Sequence, residues 1–578
     1  MRRTGSMGAR AALVVLFAVG LSSAARAEVS LKFSGKLQSD LRFRVLGARV
    51  GSWYGLQELA PGVSFNENLV KFKLQASAGR FRGVADVDVI AVGAPRPGDF
   101  GELLDRSKLD PIVVKAHSLF VEATDLLPGL DLRVGQQVVN WGKGDQFNPT
   151  NNLNPNDLWD PLLFGQQLGT PMVKADYTFY REWTLSGVLV PIFKPAQLPS
   201  SARLGVASLD RLPFVEDSLR WRLHAEQTLV RDILKYPTVV TKAIPVLPEA
   251  RLDNMQFAFR VAGVLAEHDL AFSYYNGRTD MPQPFVNYTR LNAGRRCSPS
   301  DPNDCVAGMI ETEVELGYPR MQVLGFNASG QVNALGWLSK RIQPIGYRFE
   351  LGVFFPQEAS IILLQDRMDF GLRLEPAGEY AYGLGGRRPL TVKSTPFAKW
   401  TLGLDYSFGR HVYANVQWVH GFVDEFGAGD FFSEGWAVRR GGAAGNAASL
   451  MTCALVDPKG ERCATEILRP RLGDYLVLGL DFKFLSEQLL VRLFMIWDLI
   501  GVYEEKWDAQ ANRRVRTHHG TFSAEGFSAV FFPEVTYNFG HGLELSAGGL
   551  FKVGKEHTKF GDPAAGGSEV WTRARFTY

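Results

Sequence analysis

Hard oxygen ligands and amide side chains crowd one stretch of this chain. Between Leu132 and Asp160 it reads Arg133-Val134-Gly135-Gln136-Gln137-Val138-Val139-Asn140-Trp141-Gly142-Lys143-Gly144-Asp145, then Phe147-Asn148-Pro149-Thr150-Asn151 and Asn154-Pro155-Asn156-Asp157. Asp145, Asn154, Asn156, Asp157 and Asp160 are residue types that bind calcium. Their spacing matches no defined calcium loop. Turn capping, in which Asn bonds nearby backbone and Pro fixes φ, is the favoured reading. A second kind of chemistry is electrostatic. Lys32, Lys36, Arg42 and Arg44 recur at even positions, Lys71 and Lys73 at odd ones, and Arg573 and Arg575 lie near the end. A wall lined with them would attract anionic or carboxylate-bearing solutes. Neutralisation by carboxylates is the competing, favoured reading; Asp86 and Asp88 are placed to pair with Lys71 and Lys73, and Asp40 already interrupts the stripe.

Four cysteines form two local pairs, Cys297 with Cys305 and Cys453 with Cys463, each inside loop chemistry (Ser298-Pro299-Ser300-Asp301-Pro302; Asp457-Pro458-Lys459-Gly460). In an exported protein this reads as two loop-stapling disulfides, each worth roughly 2–3 kcal/mol. A metal site is the minor alternative, since no CxxC and no paired histidine is near. Gly549-Leu550-Phe551-Lys552-Val553-Gly554-Lys555 imitates a phosphate loop, but Glu556 stands where Ser or Thr belongs. G-x-S-x-G and H-E-x-x-H are absent from the sequence, and the adjacent His518 and His519 would point apart on a strand. The sequence therefore reads as a non-enzyme with no cofactor.

The elements that must carry these residues are strands. Leu31, Phe33, Gly35, Leu37, Ser39, Leu41, Phe43 and Val45 share one parity; Lys32, Ser34, Lys36, Gln38, Asp40, Arg42 and Arg44 share the other. Period-two alternation of this length marks an extended segment with one apolar and one wet face. It recurs around Val70–Ala78, Trp400–Phe408, Leu476–Phe484 and Pro533–Phe539. Eleven residues at ~3.3 Å each, tilted ~40°, rise roughly 28 Å, enough for an apolar band of ~25 Å. Strands are expected at 31–45, 66–79, 82–92, 112–124, 130–140, 170–179, 183–193, 252–265, 268–276, 318–328, 345–356, 396–408, 411–421, 472–484, 488–499, 527–539, 543–554 and 568–578. Sixteen strands is the alternative count. Lys115, His117 and Glu122 fit no single facing in 112–124, and the turn after 318–328 is of uncertain length. Short links alternate with long ones, and Tyr177, Phe179, Tyr180, Trp183, Tyr406, Phe408, Phe482, Phe484, Tyr537 and Phe539 gather beside the short ones as an interfacial girdle. The fold class is all-β: a transmembrane antiparallel up-and-down β-barrel of about eighteen strands with long extracellular loops. Residues 214–234 break the pattern at helical spacing, predicting a short helix in the longest loop.

The pattern Arg-x-Gly-x-Gln-x-Val-x-Trp-Gly at Arg133–Gly142, followed by Asn-Pro elements, resembles a proteobacterial outer-membrane β-barrel family catalogued only as a domain of unknown function. Tyr318-Pro319 leading to Gly325 is similar to a second segment of that family, and the Gly-x-Gln strand is more loosely similar to alginate-export and porin barrels. The resemblance implies an outer-membrane channel of unsettled substrate.

Residues 1–27 read as a secretory signal peptide, with Arg2, Arg3 and Arg10 before an apolar run from Ala11 to Leu21 and cleavage after Ala27. No later run of eighteen apolar residues offers a helical span. The final strand carries Val570, Thr572, Ala574, Phe576 and Tyr578 on one face, resembling the C-terminal signal read by the barrel assembly machinery. The net charge of +3 over 578 residues argues against a nucleic-acid partner. The expected partners are outer-membrane lipid, the assembly machinery and a small-molecule solute; oligomeric state is left open.

The expected function is passive, selective passage of small solutes, with anionic solutes as the candidate class, through a bacterial outer membrane. Exporter of an anionic polymer, transporter of hydrophobic compounds through a wall interrupted at Pro191, Pro356 or Pro533, and surface adhesin are the alternatives. For the 132–160 segment two readings stand: a loop folded into the lumen with Arg133 on its approach and Asn140 and Trp141 at a constriction, or a rigid extracellular cap.

Overall fold

In the computed structural model the chain is described over residues 29–578, apart from 47–59, 203–237, 293–295, 298–304, 307–308, 334–342, 369–373, 380–389, 393–395, 426–464, 509–512, 563–564 and a few single positions. Residues 1–27, read above as a signal peptide, the 214–234 segment and the Cys453–Cys463 pair lie outside the described residues.

Alternation closes into a ring. The wall strands are β1 (Ser30–Leu46), β2 (Gly62–Ala78), β3 (Phe81–Val92), β4 (Ile112–Leu127), β5 (Leu130–Gln137), β6 (Thr170–Tyr180), β7 (Trp183–Val190), β8 (Gln256–Leu265), β9 (His268–Arg278), β10 (Arg320–Val332), β11 (Ile345–Pro356), β12 (Phe397–Phe408), β13 (Val412–His420), β14 (Asp474–Phe484), β15 (Leu489–Asp498), β16 (Ser528–Gly540), β17 (Leu543–Gly554) and β18 (Ser568–Thr577). Each pairs antiparallel with its neighbours in chain order, and β18 returns to β1 through Asp40↔Arg573 and Leu37↔Phe576, so eighteen strands close without an edge. The sixteen-strand alternative is thereby excluded. Closure matters physically, because an open edge in lipid would leave backbone N–H and C=O groups unpaired. The seam is finished by reciprocal bonds between Gly35 and Tyr578, whose ring lies where a Cβ on Gly35 would be.

The outward parity is apolar and exposed: Leu31, Phe33, Leu37 and Phe43 on β1, Phe72 and Leu74 on β2, Leu402 and Leu404 on β12, Leu545 on β17. An apolar belt of that extent is stable only against hydrocarbon. Tyr177, Phe179, Tyr180, Phe408, Phe484 and Phe539 are exposed at the short-turn end, where the girdle was expected.

The ambiguous facing of β4 has a local cause. Asp86 pairs with Ser118 and Val87 with Ala116, so His117 is an extra residue in a β-bulge. The bulge switches parity, which lets Lys115 before it and Glu122 after it both turn inward.

At the long-loop end the connections build sheets of their own. Gln283–Asn292 pairs antiparallel with Met309–Gly317 and parallel with Ala359–Met368, while Met309–Gly317 pairs parallel with Thr238–Pro245. Thr465–Leu468, Val502–Asp508 and Arg513–His519 form a smaller sheet. These strands were not foreseen, although several match wall strands in length and Met309–Gly317 alternates apolar and acidic residues as a wall strand does. Arg296–Cys297 pairs with Cys305–Val306, setting the two cysteines opposite one another on the backbone.

Candidate functional site

The segment that follows β5 turns inward and crosses the barrel. Its Asn side chains stand in for missing secondary structure. Asn154 accepts from Val139 N at 2.8 Å and donates to the carbonyls of Gln137 and Leu168 at 2.9 and 3.0 Å. Asn151 accepts from Trp141 N at 2.8 Å and donates to Asn140, whose side-chain oxygen also accepts from Gly142 N. A backbone without a ladder must find such partners when it is buried.

Wall residues on the inward parity then grip the segment from around the ring. On β1, the buried Arg42 guanidinium makes a two-point contact with Asp160 at 2.6 Å for each bond. On β4, Lys115 pairs with Asp157. On β10, Asn327 donates to Trp141 O at 2.6 Å. On β11, fully buried Glu350 accepts from the backbone N–H of Lys143 and Gly144 and from Thr150 Oγ1 at 3.0 Å, and Arg348 pairs with Asp145. On β12, Thr401 donates to Phe147 O at 2.8 Å; on β13, Asn415 donates to Asp145 at 2.7 Å. Two apolar clusters flank the segment. Val139, Trp141 and Leu153 pack against Met172, Val188, Val323 and Phe354; Phe147 packs with Val419, Phe422, Tyr475, Val477, Ile496, Val530, Leu550 and Phe560.

Of the two readings for this segment, the geometry is that of the lumen loop. Its details differ from expectation. Trp141 is buried among apolar side chains and anchors the segment, while Asn140 is exposed. The five candidate calcium ligands are dispersed: Asp145, Asp157 and Asp160 each meet a wall cation, Asn154 holds backbone, and Asn156 donates through its backbone N–H and side chain to Asp280 at 2.7 and 2.8 Å.

The basic stripe is also compensated. Arg42 and Arg573 both bind Asp40, at 3.0 and 2.6 Å; Arg44 meets Glu569 at 3.3 Å, Arg575 meets Glu544 at 3.1 Å, and Lys71 meets Asp86 at 2.8 Å. Arg133 meets Glu122 at 2.6 Å and lies over the Phe120 ring. Lys36 donates to Gln38, and Lys32 and Lys73 are exposed near the short-turn end. Cross-strand carboxylates on the same inward parity neutralise most of the stripe, so it is a lattice of ion pairs rather than an open cationic wall. The phosphate-loop mimic is wall strand β17, and His518 and His519 bond separately to Ile500 O and Glu504.

Beside the segment lies a pocket lined by Asn148, Asn152, Asp280, Phe354, Lys399 and Thr401 among others. Burial pushes the Asp280 carboxyl above its usual range despite the Asn156 hydrogen bonds. At the mouth, Lys559 binds Asp424 at 2.8 Å and Glu425 at 3.3 Å. Burial alone would raise the Asp424 carboxyl, but the Lys559 ammonium holds it below the usual range. Sequence reasoning missed Asp280, Asn327, Glu350, Lys399, Thr401 and Asn415. All but Asp280 are polar residues on lumen-facing parity, which was readable; what they grip was not.

Residues 118–340 match the family model described as "Protein of unknown function (DUF1302)". The matched range contains both the lumen segment and Tyr318-Pro319. No curated protein matches the chain significantly in sequence. Among solved structures the chain is similar to OccAB3 of Acinetobacter baumannii (10% identity, TM-score 0.40, covering 95% of this chain and 99% of that one). It is similar to OccK11 (OpdR) of Pseudomonas aeruginosa (8%, TM-score 0.39, 95% of each chain) and to OmpF of Salmonella typhi in complex with daunomycin (7%, TM-score 0.34, 95% and 97%). These likenesses are distant, and the barrel stands on its own hydrogen-bond ladder.

Proposed function

We propose that this protein is a channel of the bacterial outer membrane that passes small solutes passively, its bore restricted by the 138–169 segment. One observation carries the reading: a single inward-folded segment is bonded to β1, β4, β10, β11, β12 and β13 at once. An eighteen-stranded ring has room for an aqueous lumen, and this segment divides it. Hydrogen bonds to so many wall strands make the constriction a fixed part of the wall rather than a loose flap. The long-loop end, with its accessory sheets, faces outward from the cell, and the short turns face the periplasm. The paired charges of the lumen support weak ion selectivity, with no strong anion preference.

The test is planar-bilayer conductance of the native protein and of a variant in which residues 142–166 are replaced by a short Gly/Ser linker. Small discrete openings in the native protein and openings several-fold larger in the variant are expected. A native protein that conducts nothing while correctly folded would overturn the channel; equal conductance in both would remove the segment from the bore.

A further inference from the structure

The outward parity of the wall is apolar around most of the ring, where it carries exposed Phe259, Phe272, Leu324, Leu402, Leu493 and Val535. At the seam it changes character. Two registered rows cross β18, β1, β2 and the end of β3. One row reads Ala574, Ser39, Asn68, Ala91. The next reads Thr572, Leu41, Asn66 and then Gly93, whose backbone N–H donates to the Asn66 carbonyl at 2.8 Å. Their neighbours Asp40, Arg42 and Arg573 face the lumen and bind one another, so these rows face out; Ser39, Asn68, Thr572 and Ala574 are exposed. The Asn66 amide lies where a Cβ on Gly93 would be, so the glycine gives it room on the outer face.

Depth makes these rows unusual. At ~3.3 Å per residue and a tilt of ~40°, β1 rises roughly 25 Å between Phe33 and Phe43, the height of the apolar band. Phe33 belongs to the short-turn girdle, its ring centroid 6.3 Å from that of Phe72 and 5.7 Å from that of Tyr578. Phe43 and Val63, on the other side of the rows, are exposed apolar residues. Ser39 and Asn68 therefore lie near the middle of the band, with apolar side chains above and below. The amides of Asn66 and Asn68 and the hydroxyls of Ser39 and Thr572 find no hydrogen-bond partner among the described residues. Hydrocarbon offers none, and a polar group left unpaired there is costly. Lipid headgroups lie beyond the band. What covers the rows must therefore be another protein wall that carries donors and acceptors at the same depth.

We propose that the outer face of β18, β1 and β2 is an interface at which a second copy of this chain packs in the membrane, the Ser39, Asn66, Asn68 and Thr572 side chains of one barrel hydrogen-bonding to the same set on the other. The chemistry of the patch selects that occupant. An amide and a hydroxyl each donate and accept, so the patch complements itself when turned about a two-fold axis. None of the four groups is charged, so nothing in the patch calls for a partner of opposite sign. Ala574, Ala91 and Gly93, together with Ala547 paired to Thr572 on β17, keep the face shallow. Two such walls can approach closely, as small residues allow between membrane helices. The pairing leaves each lumen untouched and holds whether or not the barrel conducts.

The test joins cross-linking in intact outer membranes to mass measurement of the full chain in lipid nanodiscs. Ser39→Cys and Asn68→Cys, each alone, are oxidised in the membrane, with Leu324→Cys on a distant wall strand as the control and the native chain as background. The seam cysteines should give a product of twice the chain mass that reduction reverses, and Leu324→Cys should give no more than background. The native chain in nanodiscs should have the mass of two copies. Asn66→Leu/Asn68→Leu, which suits the face to lipid, should have the mass of one. Should that variant fail to fold, the cross-links and the native mass decide the matter. A native chain that is single in nanodiscs, a folded double-leucine variant that still pairs, or no cross-link from either seam position would overturn the interface. A seam product whose mass shows a different protein would overturn the second copy as its occupant.

Discussion

Arg42 shows how one residue's role depends on what meets it. By parity it belongs to a basic stripe; in the fold it is 1% exposed, holds Asp40 and Asp160 together, and lies 4.0 Å from the centre of the Phe65 ring. Removing one partner of such a buried cluster leaves uncompensated charge, at a cost of about 3–5 kcal/mol. Arg42→Ala is therefore expected to release the lumen segment, giving noisier and larger single-channel currents and faster proteolysis within 140–167. Arg42→Lys should rescue little, because an ammonium cannot reproduce the two-point contact with Asp160. Unchanged currents in both variants would show that the knot does not hold the segment. Asp280 gives a pH signature. Burial raises its carboxyl, so it stays neutral below that raised value and becomes charged only as pH climbs above the usual range near ~4. Cation preference of the channel should rise with pH through that window, and Asp280→Asn should flatten the profile of reversal potential against pH. Stability runs the opposite way: folded-state support from this group is complete at low pH and declines as pH rises through its elevated value.

At the scale of elements, the bulge in β4 is the clearest case of local chain geometry set by tertiary need. His117 is the inserted residue, and its ring nitrogen lies 2.6 Å from Asp88. Deleting His117 would put residues 112–116 out of phase, turning Lys115 toward lipid and leaving Asp157 without its cation. A basic residue on the lipid face costs up to ~2–4 kcal/mol at the midplane and less near the interface. The deletion should lower the urea midpoint of the folded barrel; an unchanged midpoint would mean the bulge is dispensable. The hairpin at 296–306 makes a second prediction. Residues directly opposite in an antiparallel pair have Cα atoms about 4.5–5.5 Å apart, inside the disulfide range. Mass spectrometry of non-reduced peptides should therefore find Cys297 joined to Cys305, and free thiols at both would refute it.

For the whole molecule, the ring of eighteen strands and its exposed apolar belt make one demand, a hydrocarbon surround. The protein should need detergent to stay dispersed, give a β-type far-UV circular dichroism spectrum, and migrate differently in gel electrophoresis before and after boiling. A detergent-free, helical monomer would remove the foundation. Alternation along single strands determined the barrel, its strand positions and which side chains face inward, because lipid and water demand opposite chemistry on opposite faces and a strand sorts them with period two. Residues 132–160 announced themselves as unusual through Asn, Pro and Gly, whose local bonding is encoded in neighbouring positions. The partners of those residues were decided only by closure of the ring. Asp160 meets Arg42 across 118 positions, Thr150 meets Glu350 across 200 and Phe147 meets Thr401 across 254. No periodicity links such distant positions, since what pairs them is the curvature that brings the whole wall around one inward-folded segment.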